Sequence, residues 1–444
     1  MAAAASDPTA LTSVASVFVG CKVSQADGEQ ALVELAGAGM PLAGRHDEAD
    51  VVVVHTCCVT AEAERKSRRL VRRYSRRGRR VIVAGCAARL HPEQFAGAGI
   101  EVSPTPDWAA LAAASAAAGT ASGAQAAGWS AFCRPGAGSG GPSEAASLDQ
   151  RAAVAGSRTR LILKVQDGCG GQCSYCVVRL VRGAPHSIPL AEALAAARAG
   201  LARGCGEIVL SGIDLGAWSD GERRLPELVA ALTELPDLLR LRLSSLEPRH
   251  VDERLLEALA HPAVAHHLHL PLQSADNAVL ADMRRPYTFA QYMTTVGQVR
   301  DRLGDGMLST DVIVGFPTED EAAFARTFAA LESGIFGRVH VFAFSSRPGT
   351  AAAGLPPLPA AVVKERMARA LAAAEAATKA ACVAALGRVA EVLVENRRDG
   401  LCRGYSSEYI PYYLPDEASS GTMVRAVALH EHKDGVLGIV KEAS

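Results

Sequence analysis

The stretch Leu161–His186, LILKVQDGCGGQCSYCVVRLVRGAPH, decides how the rest of the chain is read. A β-rich run, Leu161–Val165, leads into a glycine-rich turn carrying Cys169, Cys173 and Cys176 in the spacing Cys-x-x-x-Cys-x-x-Cys. Thiolates this close together bind one soft-metal centre. A cubic four-iron cluster has four corners, so three thiolates leave one iron open to a non-protein ligand, a vacancy that suits catalysis. The competing reading is a structural zinc knuckle, which wants four ligands, usually in two pairs. His186 is the one further Cys or His at short range.

Outward from this stretch, length and composition bound the answer. At 444 residues the chain should hold two or three domains, each with its own core. The start, MAAAASDPTALTS, has neither the basic residues nor the leucine-rich core of a signal peptide, so the eleven cysteines are expected to be reduced and open to metals in a cytoplasmic setting. The only long uncharged run, Trp108–Cys133, is mostly Ala, Gly, Ser, Thr and Gln, too weakly apolar to insert into a bilayer, and no membrane partner is expected. Net charge is −1, which points to no global field for nucleic acid. The charge is uneven, however: Arg65–Arg80, RKSRRLVRRYSRRGRR, has ten basic residues and no acid. Charge runs are commonly solvated helix faces, but such faces mix signs. A phosphate-facing surface with a salt-dependent contribution to RNA affinity is the expectation.

The first domain is read over residues 14–107. Short buried strands at Val17–Gly20, Val51–His55 and Val81–Gly85 end at Cys21, Cys57 and Cys86, with helical patterns at Asp27–Ala38 and Thr60–Tyr74 between them. Alternating strand and helix implies a parallel sheet with right-handed crossovers. All three cysteines then leave the carboxyl edge, where open α/β sheets bind ligands. A second cluster with three protein ligands is the economical inference, and three small buried apolar residues the bland one. Cys58 stands beside Cys57 and competes for the same role.

The cysteine spacing, with Tyr175 just before the third thiol, resembles the radical S-adenosylmethionine (SAM) enzymes. Added to it, the segments GCKVSQADGE, HTCCVTAEAERKSRR and AGCAAR resemble the methylthiotransferase family. That resemblance implies two [4Fe-4S] clusters, an auxiliary one on Cys21, Cys57 and Cys86 and a radical-SAM one on Cys169, Cys173 and Cys176, with SAM on the open iron of the latter. Cys57 is preferred to Cys58 because it takes the cysteine position of the family's Asn-Thr-Cys-x-Val-Thr. Two departures, His55 for the usual Asn and Ser24 for the Asn that commonly follows Cys-Lys-Val, remove no ligand and bear on fine tuning.

Residues 108–158 read as an Ala/Gly/Ser-rich linker with a short helix near 108–118 and a spare thiol at Cys133. Residues 159–380 alternate strands and helices as a β/α barrel should, with strands at Arg160–Val165, Glu207–Leu210, Leu239–Ser244, Ala265–Leu270, Leu308–Val314 and Arg338–Phe344. Six strands predict a partial (β/α)6 barrel. Polar or glycine residues after these strands line the barrel mouth: Ser211, Gly212 and Asp214; Ser244, Ser245 and Glu247; Gln273; Asp311 and Gly315; Ser345–Gly349. Of these, Ser211, Gly212, Asp214, Ser245 and Gln273, with Tyr175, are the candidate cofactor-binding residues; each also reads as a turn residue or cap. His267 and His269 share a strand face, but alternation with Leu268 and Leu270 favours a structural strand over a metal site. Cys205 and Cys382 read as buried apolar residues.

A helical run from Leu358 to about Leu386 precedes five short strands within 386–444, predicting a small β-barrel in the position of the family's RNA-contacting TRAM domain. Tyr405, Tyr409, Tyr412 and Tyr413, with Arg397, Arg398 and Arg403 nearby, fit either base stacking and phosphate contact or cross-strand packing. The fold class is therefore α/β: an N-terminal parallel sheet, a central partial barrel and a C-terminal TRAM-like barrel.

Within the family, Gly-Cys-Lys-Val, Thr-Cys-x-Val-Thr and Ser-x-Arg-Pro-Gly-Thr look most like the branch that methylthiolates C2 of N6-threonylcarbamoyladenosine at tRNA position 37. What the resemblance implies is a radical that removes the unactivated C2 hydrogen, sulfur handed over from the auxiliary centre across the domain boundary, and a second SAM as methyl donor. Partners would be the tRNA anticodon stem-loop, an electron donor and a sulfur source. Two alternatives keep the chemistry and change the acceptor, to isopentenyladenosine in tRNA or to a ribosomal-protein aspartate. A third has no catalysis: a metal-stapled RNA-binding protein.

Overall fold

The computed structural model describes residues 13–112, 159–304, 306–415 and 418–441. The chain divides into two compact units, Met1–Ser157 and Arg158–Ser444. Cys133 and most of the expected linker lie outside the described residues.

In the first unit four parallel strands, β1 (Val14–Phe18), β2 (Val51–Thr56), β3 (Arg80–Gly85) and β4 (Ile100–Val102), lie side by side in chain order. The central strand VVVVHT is buried on both faces, as a parallel sheet covered by helices requires. Helices α1 (Lys22–Gly37), α2 (Ala61–Arg76) and α3 (Cys86–Leu90) follow the first three strands. Val14, Val51, Val53, Ile82 and Leu35 form one core cluster with Leu111 and Ala112, so the first residues of the expected linker belong to this unit's core. The first strand ends earlier than its pattern predicts: Gly20 has φ +137°, and α1 starts at Lys22 rather than Asp27.

The second unit contains the six expected strands, all parallel within two sheets. One has the order β11 (Arg240–Leu243), β8 (Glu207–Ser211), β5 (Arg160–Lys164); the other has β12 (His267–His269), β13 (Met307–Val314), β14 (Arg338–Ala343). Bridges Leu241–Val264 and Ser245–His269 join them into an open half barrel. Two short antiparallel pairs, β6 (Gln166–Asp167) with β7 (His186–Ser187) and β9 (Ser219–Asp220) with β10 (Arg223–Arg224), decorate it. Leu163, Val165, Ile208, Leu210, Leu241, Leu243, Leu268, Leu270, Leu308, Val312 and Val314 pack into one core with the outer helices. Strand side chains alternate, so Arg160, Lys164, Glu207, Ser211, Arg240, Arg242, Ser244, His267, His269, Asp311 and His340 line the other, concave face.

After the helix Ala360–Ala385 the strands β15 (Val389–Arg398), β16 (Leu401–Ser406), β17 (Pro411–Leu414), β18 (Met423–His432) and β19 (Gly435–Val440) close a barrel in the order β15-β16-β17-β19-β18. This barrel caps the amino-terminal end of the half barrel. Arg240 donates to the carbonyls of Tyr405 (3.0 Å) and Glu391 (2.9 Å), and Arg242 to those of Ser406 (3.0 Å) and Ser407 (3.1 Å). The buried carboxylate of Glu207 pairs with Arg242 at 3.1 Å, Arg240 at 3.5 Å and Arg160 at 3.9 Å, and Arg160 also meets Glu395 at 2.6 Å.

This junction settles the C-terminal tyrosines. Tyr405 and Tyr409 stack on each other at 4.9 Å under the guanidinium groups of Arg160 and Arg242, and Tyr412 lies in the small barrel's core. Tyr413 donates to Asp434 at 2.5 Å, beside the Arg403–Asp434 pair at 2.8 Å. Packing, not an open stacking face, is what these four rings do. Arg397 is exposed, and nothing is described of the Arg398 side chain.

Candidate metal and cofactor centres

The cysteine loop of the second unit emerges at the carboxyl end of β5. Gly168 turns it with φ +70°; a Cβ there would lie 2.1 Å from the Ala184 carbonyl oxygen, so only glycine lets the chain cross itself. The backbone N–H of Cys169 donates to the Gly183 carbonyl at 3.2 Å, and that of Cys176 to the Cys173 carbonyl at 3.2 Å. An ideal Cβ on Gly171 would lie 3.1 Å from Cys169 Sγ and 4.0 Å from Cys173 Sγ, so the turn wraps both thiols without side-chain bulk. Burial pushes the Cys169 thiol up, and it pushes Cys176 up to about 11. Protons are therefore held until a soft cation displaces them.

Polar groups surround this loop. Arg285 donates to Cys173 Sγ at 3.3 Å and to the Tyr287 hydroxyl at 3.0 Å, and it is paired with Glu247. Asp214 is buried, 3.9 Å from Cys169 Sγ, and held by Arg249 (2.6 Å) and His250 (3.0 Å). Burial would raise its carboxyl, but His250 and Arg249 outweigh burial and keep it below the ordinary range. Gln166 accepts from the Asp214 backbone N–H at 2.7 Å and donates to the Gly168 carbonyl at 2.9 Å, tying the two loops together.

On the concave wall, Ser211 pairs in register with Lys164, and Ser244 follows at the same level on β11. Ser211 Oγ and Ser244 Oγ are both buried and have no hydrogen-bond partner among the described residues. Buried hydroxyls of this kind await a polar ligand. Gln273 is buried with φ +67°, bridged to Val312 at the top of the wall. Tyr175 is half-buried beneath the loop, and Gly212 lies where a Cβ would meet Gln166 at 3.0 Å. Ser245 is exposed, whereas its neighbour Ser244 lines the wall. Lower down, His267 and His269 both bond to Ser309 Oγ, at 2.8 and 2.9 Å, and His269 reaches Asp311 at 3.2 Å. Asp311 and His340 form with His269 a cluster whose ligand-type atoms lie within 4.8 Å of one another.

In the first unit, register places Phe18, His55 and Ala84 at one level, so Cys21, Cys57 and Cys86 follow at one sheet edge. Gly20 makes the approach possible: a Cβ on it would lie 2.9 Å from Cys57 Cβ and 3.3 Å from Cys57 Sγ. Thr56 fixes the adjacent strand ends, donating to the Ala84 carbonyl (2.7 Å) and accepting from the Ala88 N–H (3.1 Å). Cys21 is exposed, with its Sγ 3.8 Å from Ser24 Oγ. Cys58 joins the group: its thiol is hydrogen-bonded with that of Cys86, which together with burial pushes it far above the ordinary thiol range. His55 is buried beside α1 and tilted against Trp108 at 6.0 Å.

Sequence reasoning did not single out Gln166, Arg249, His250 or Arg285. Arg285 carried a usable signal, a charged residue in the segment after the fourth strand, where an uncompensated cation needs an anionic partner.

A model of the radical SAM superfamily matches residues 163–331, and one of uncharacterized protein family UPF0004 matches residues 13–103. A tRNA-2-methylthio-N(6)-dimethylallyladenosine synthase of Novosphingobium aromaticivorans is 32% identical over 442 residues, covering 94% of this chain and 95% of that protein. A threonylcarbamoyladenosine tRNA methylthiotransferase, MtaB, of Thermotoga maritima is also 32% identical, over 78% of each chain. The chain belongs to the radical SAM methylthiotransferase family.

Coverage within this methylthiotransferase family varies. A tRNA-2-methylthio-N(6)-dimethylallyladenosine synthase of Cereibacter sphaeroides is 37% identical over 282 residues, which is 63% of this chain and 64% of that protein's length. Among solved structures, the radical S-adenosylmethionine methyltransferase TsrM of Kitasatospora setae, with cobalamin and a [4Fe-4S] cluster bound, matches at TM-score 0.52 and 17% identity over 77% of each chain. That likeness is one of fold. No described helix is long and apolar enough to cross a membrane.

Proposed function

We propose that this chain is a tRNA methylthiotransferase that places a methylthio group on C2 of N6-threonylcarbamoyladenosine at position 37. The observation that carries the reading is the pair of cysteine trios, each at the carboxyl edge of a parallel sheet. Cys169, Cys173 and Cys176 would hold one [4Fe-4S] cluster, and Cys21, Cys57 and Cys86 the other. Their thiolate donors suit iron–sulfur centres, and each trio leaves one position open. When bound, the first cluster with SAM supplies a carbon radical able to take hydrogen from an unactivated C–H bond, and the second carries the sulfur.

The chain's own residues prepare this chemistry. Arg285 places positive charge against Cys173, with Glu247 and Tyr287 fixing its direction. Asp214, held by Arg249 and His250, presents a fixed carboxylate beside Cys169. Ser211 and Ser244 offer hydroxyls to the polar groups of SAM, and Tyr175, Gly212, Ser245 and Gln273 complete the mouth. A reductant and a sulfur source are further requirements of the reaction, and the setting is cytoplasmic.

For the N6 substituent, the polar wall of Lys164, His269, Asp311 and His340 supports a group bearing hydroxyl and carboxylate. Burying an apolar group there would desolvate these side chains without return. The dimethylallyl substituent is the second reading, supported by the Novosphingobium relative, which aligns over 95% of its length. Mass spectrometry of tRNA nucleosides from a deletion strain separates them. Loss of the methylthio-threonylcarbamoyl nucleoside supports the first reading, loss of the methylthio-dimethylallyl nucleoside the second, and unchanged tRNA rejects both.

A further inference from the structure

Helix α2 presents three kinds of face. Glu64, Ser67, Val71 and Tyr74 are its buried residues. One flank carries basic groups already paired with acids: Lys66 with Glu62 at 2.9 Å, and Arg73 (3.3 Å) and Arg77, at the helix end, sharing the single carboxylate of Asp47. On the other flank Arg68 reaches Gln94 at 2.6 Å and Glu64 at 3.9 Å. Between the flanks lie Arg65, Arg69, Arg72 and Arg76, all exposed and in no hydrogen bond or ion pair among the described residues.

At about 100° per residue these four positions fall within a stripe about 60° wide and about 16 Å long. Four fixed like charges on one stripe repel one another, so the face is unfavourable for folding and calls for an anionic ligand of matching length. The stripe has a direction. The helix begins four residues after Cys57, at the sheet edge where the thiols gather, and Arg65 is the member nearest that edge. The C-terminal tyrosines and Arg403 are committed to internal contacts, so they do not supply this grip.

We infer that the Arg65-Arg69-Arg72-Arg76 face of α2 is a track for the phosphodiester backbone of the substrate RNA, leading toward the thiol-bearing edge. This deepens the tRNA reading and rests on it. Guanidinium groups one helical turn apart hold successive phosphates by charge-assisted hydrogen bonds without reading sequence.

The test is equilibrium binding of tRNA lacking the methylthio group to the cluster-loaded full-length protein, across a range of KCl concentrations. Replacing all four (R65Q/R69Q/R72Q/R76Q) should make the slope of log affinity against log salt shallower by about 3. The pair R69Q/R72Q should lower it by about 1.5, and the control pair R73Q/R77Q, whose two charges share the one carboxylate of Asp47, by no more than about half that. Circular dichroism and iron content show whether each variant is folded and loaded. Equal slope changes for the two pairs would mean diffuse charge and overturn the track. So would an unchanged slope in the fourfold variant. Salt-insensitive tRNA binding by the wild-type protein would likewise overturn the track, whereas no tRNA binding by the loaded wild-type protein at any salt concentration would overturn the tRNA reading itself.

Discussion

Arg285 points its guanidinium at the sulfur of Cys173, 3.3 Å away, and its remaining nitrogens at Glu247 and the Tyr287 hydroxyl. A cation hydrogen-bonded to a cluster sulfur favours the reduced, more negative state. For the cluster proposed on Cys169, Cys173 and Cys176, R285Q should therefore shift the midpoint potential to more negative values and slow reductive SAM cleavage, while R285K moves it less. Redox titration followed by electron paramagnetic resonance reads this directly. A potential unchanged in R285Q would remove Arg285 from the electronic account and leave it a packing residue.

Glu207 closes the floor of the half barrel, and three arginines depend on it. Burial acts against both signs: it pulls Arg240 down, while Glu207, held by Arg242, Arg160 and Arg240, ends below its ordinary value despite burial. E207Q leaves buried guanidinium groups short of a partner and should cost about 3–5 kcal/mol at neutral pH. A depressed carboxyl contributes stability above its unfolded value, and that contribution is lost as pH falls through the folded one. The gap in urea midpoint between wild type and E207Q should thus hold from neutral pH to about pH 5 and narrow below about pH 4. A gap that widens on acidification would show that the carboxylate is not what holds this floor.

Cys57 and Cys58 are both at the auxiliary edge, one against Gly20 and the other bonded to Cys86. The family motif assigns the ligand to Cys57. C57A should lose about half of the iron and sulfide, and C58A should keep both, since it removes packing and the hydrogen bond to Cys86 but no ligand of the family motif. Reversal of the two results would transfer the ligand role to Cys58. Gly20→Ala offers a check by another route, because its Cβ would press on Cys57 and should lower auxiliary-cluster content with either ligand.

The strand-and-helix rhythm was legible because the apolar run VVVV of Val51–Val54 and the alternating LRLRL of residues 239–243 have strand lengths and flanking turn residues that admit one pattern. The gathering of Cys21, Cys57 and Cys86 at one edge was legible because parallel strands deliver their carboxyl ends to one edge. Other features were not. Strand β4 is three residues long and carries no periodicity of its own. The tyrosines of the small barrel have the composition of an RNA platform, and only the docking of that barrel onto Arg160, Arg240 and Arg242 shows them occupied. Gln166 and His250 act through loops that meet 48 and 36 residues away in sequence, at Asp214, and no local pattern encodes such a meeting.

The central claim is that two thiol trios do different work in one reaction. Its most direct measurement is the product spectrum of C21A/C57A/C86A after reconstitution with iron, sulfide, SAM, reductant and tRNA. The account predicts that 5′-deoxyadenosine still forms and no methylthio nucleoside appears, with C169A/C173A/C176A forming neither. Methylthio product from the first variant would contradict it.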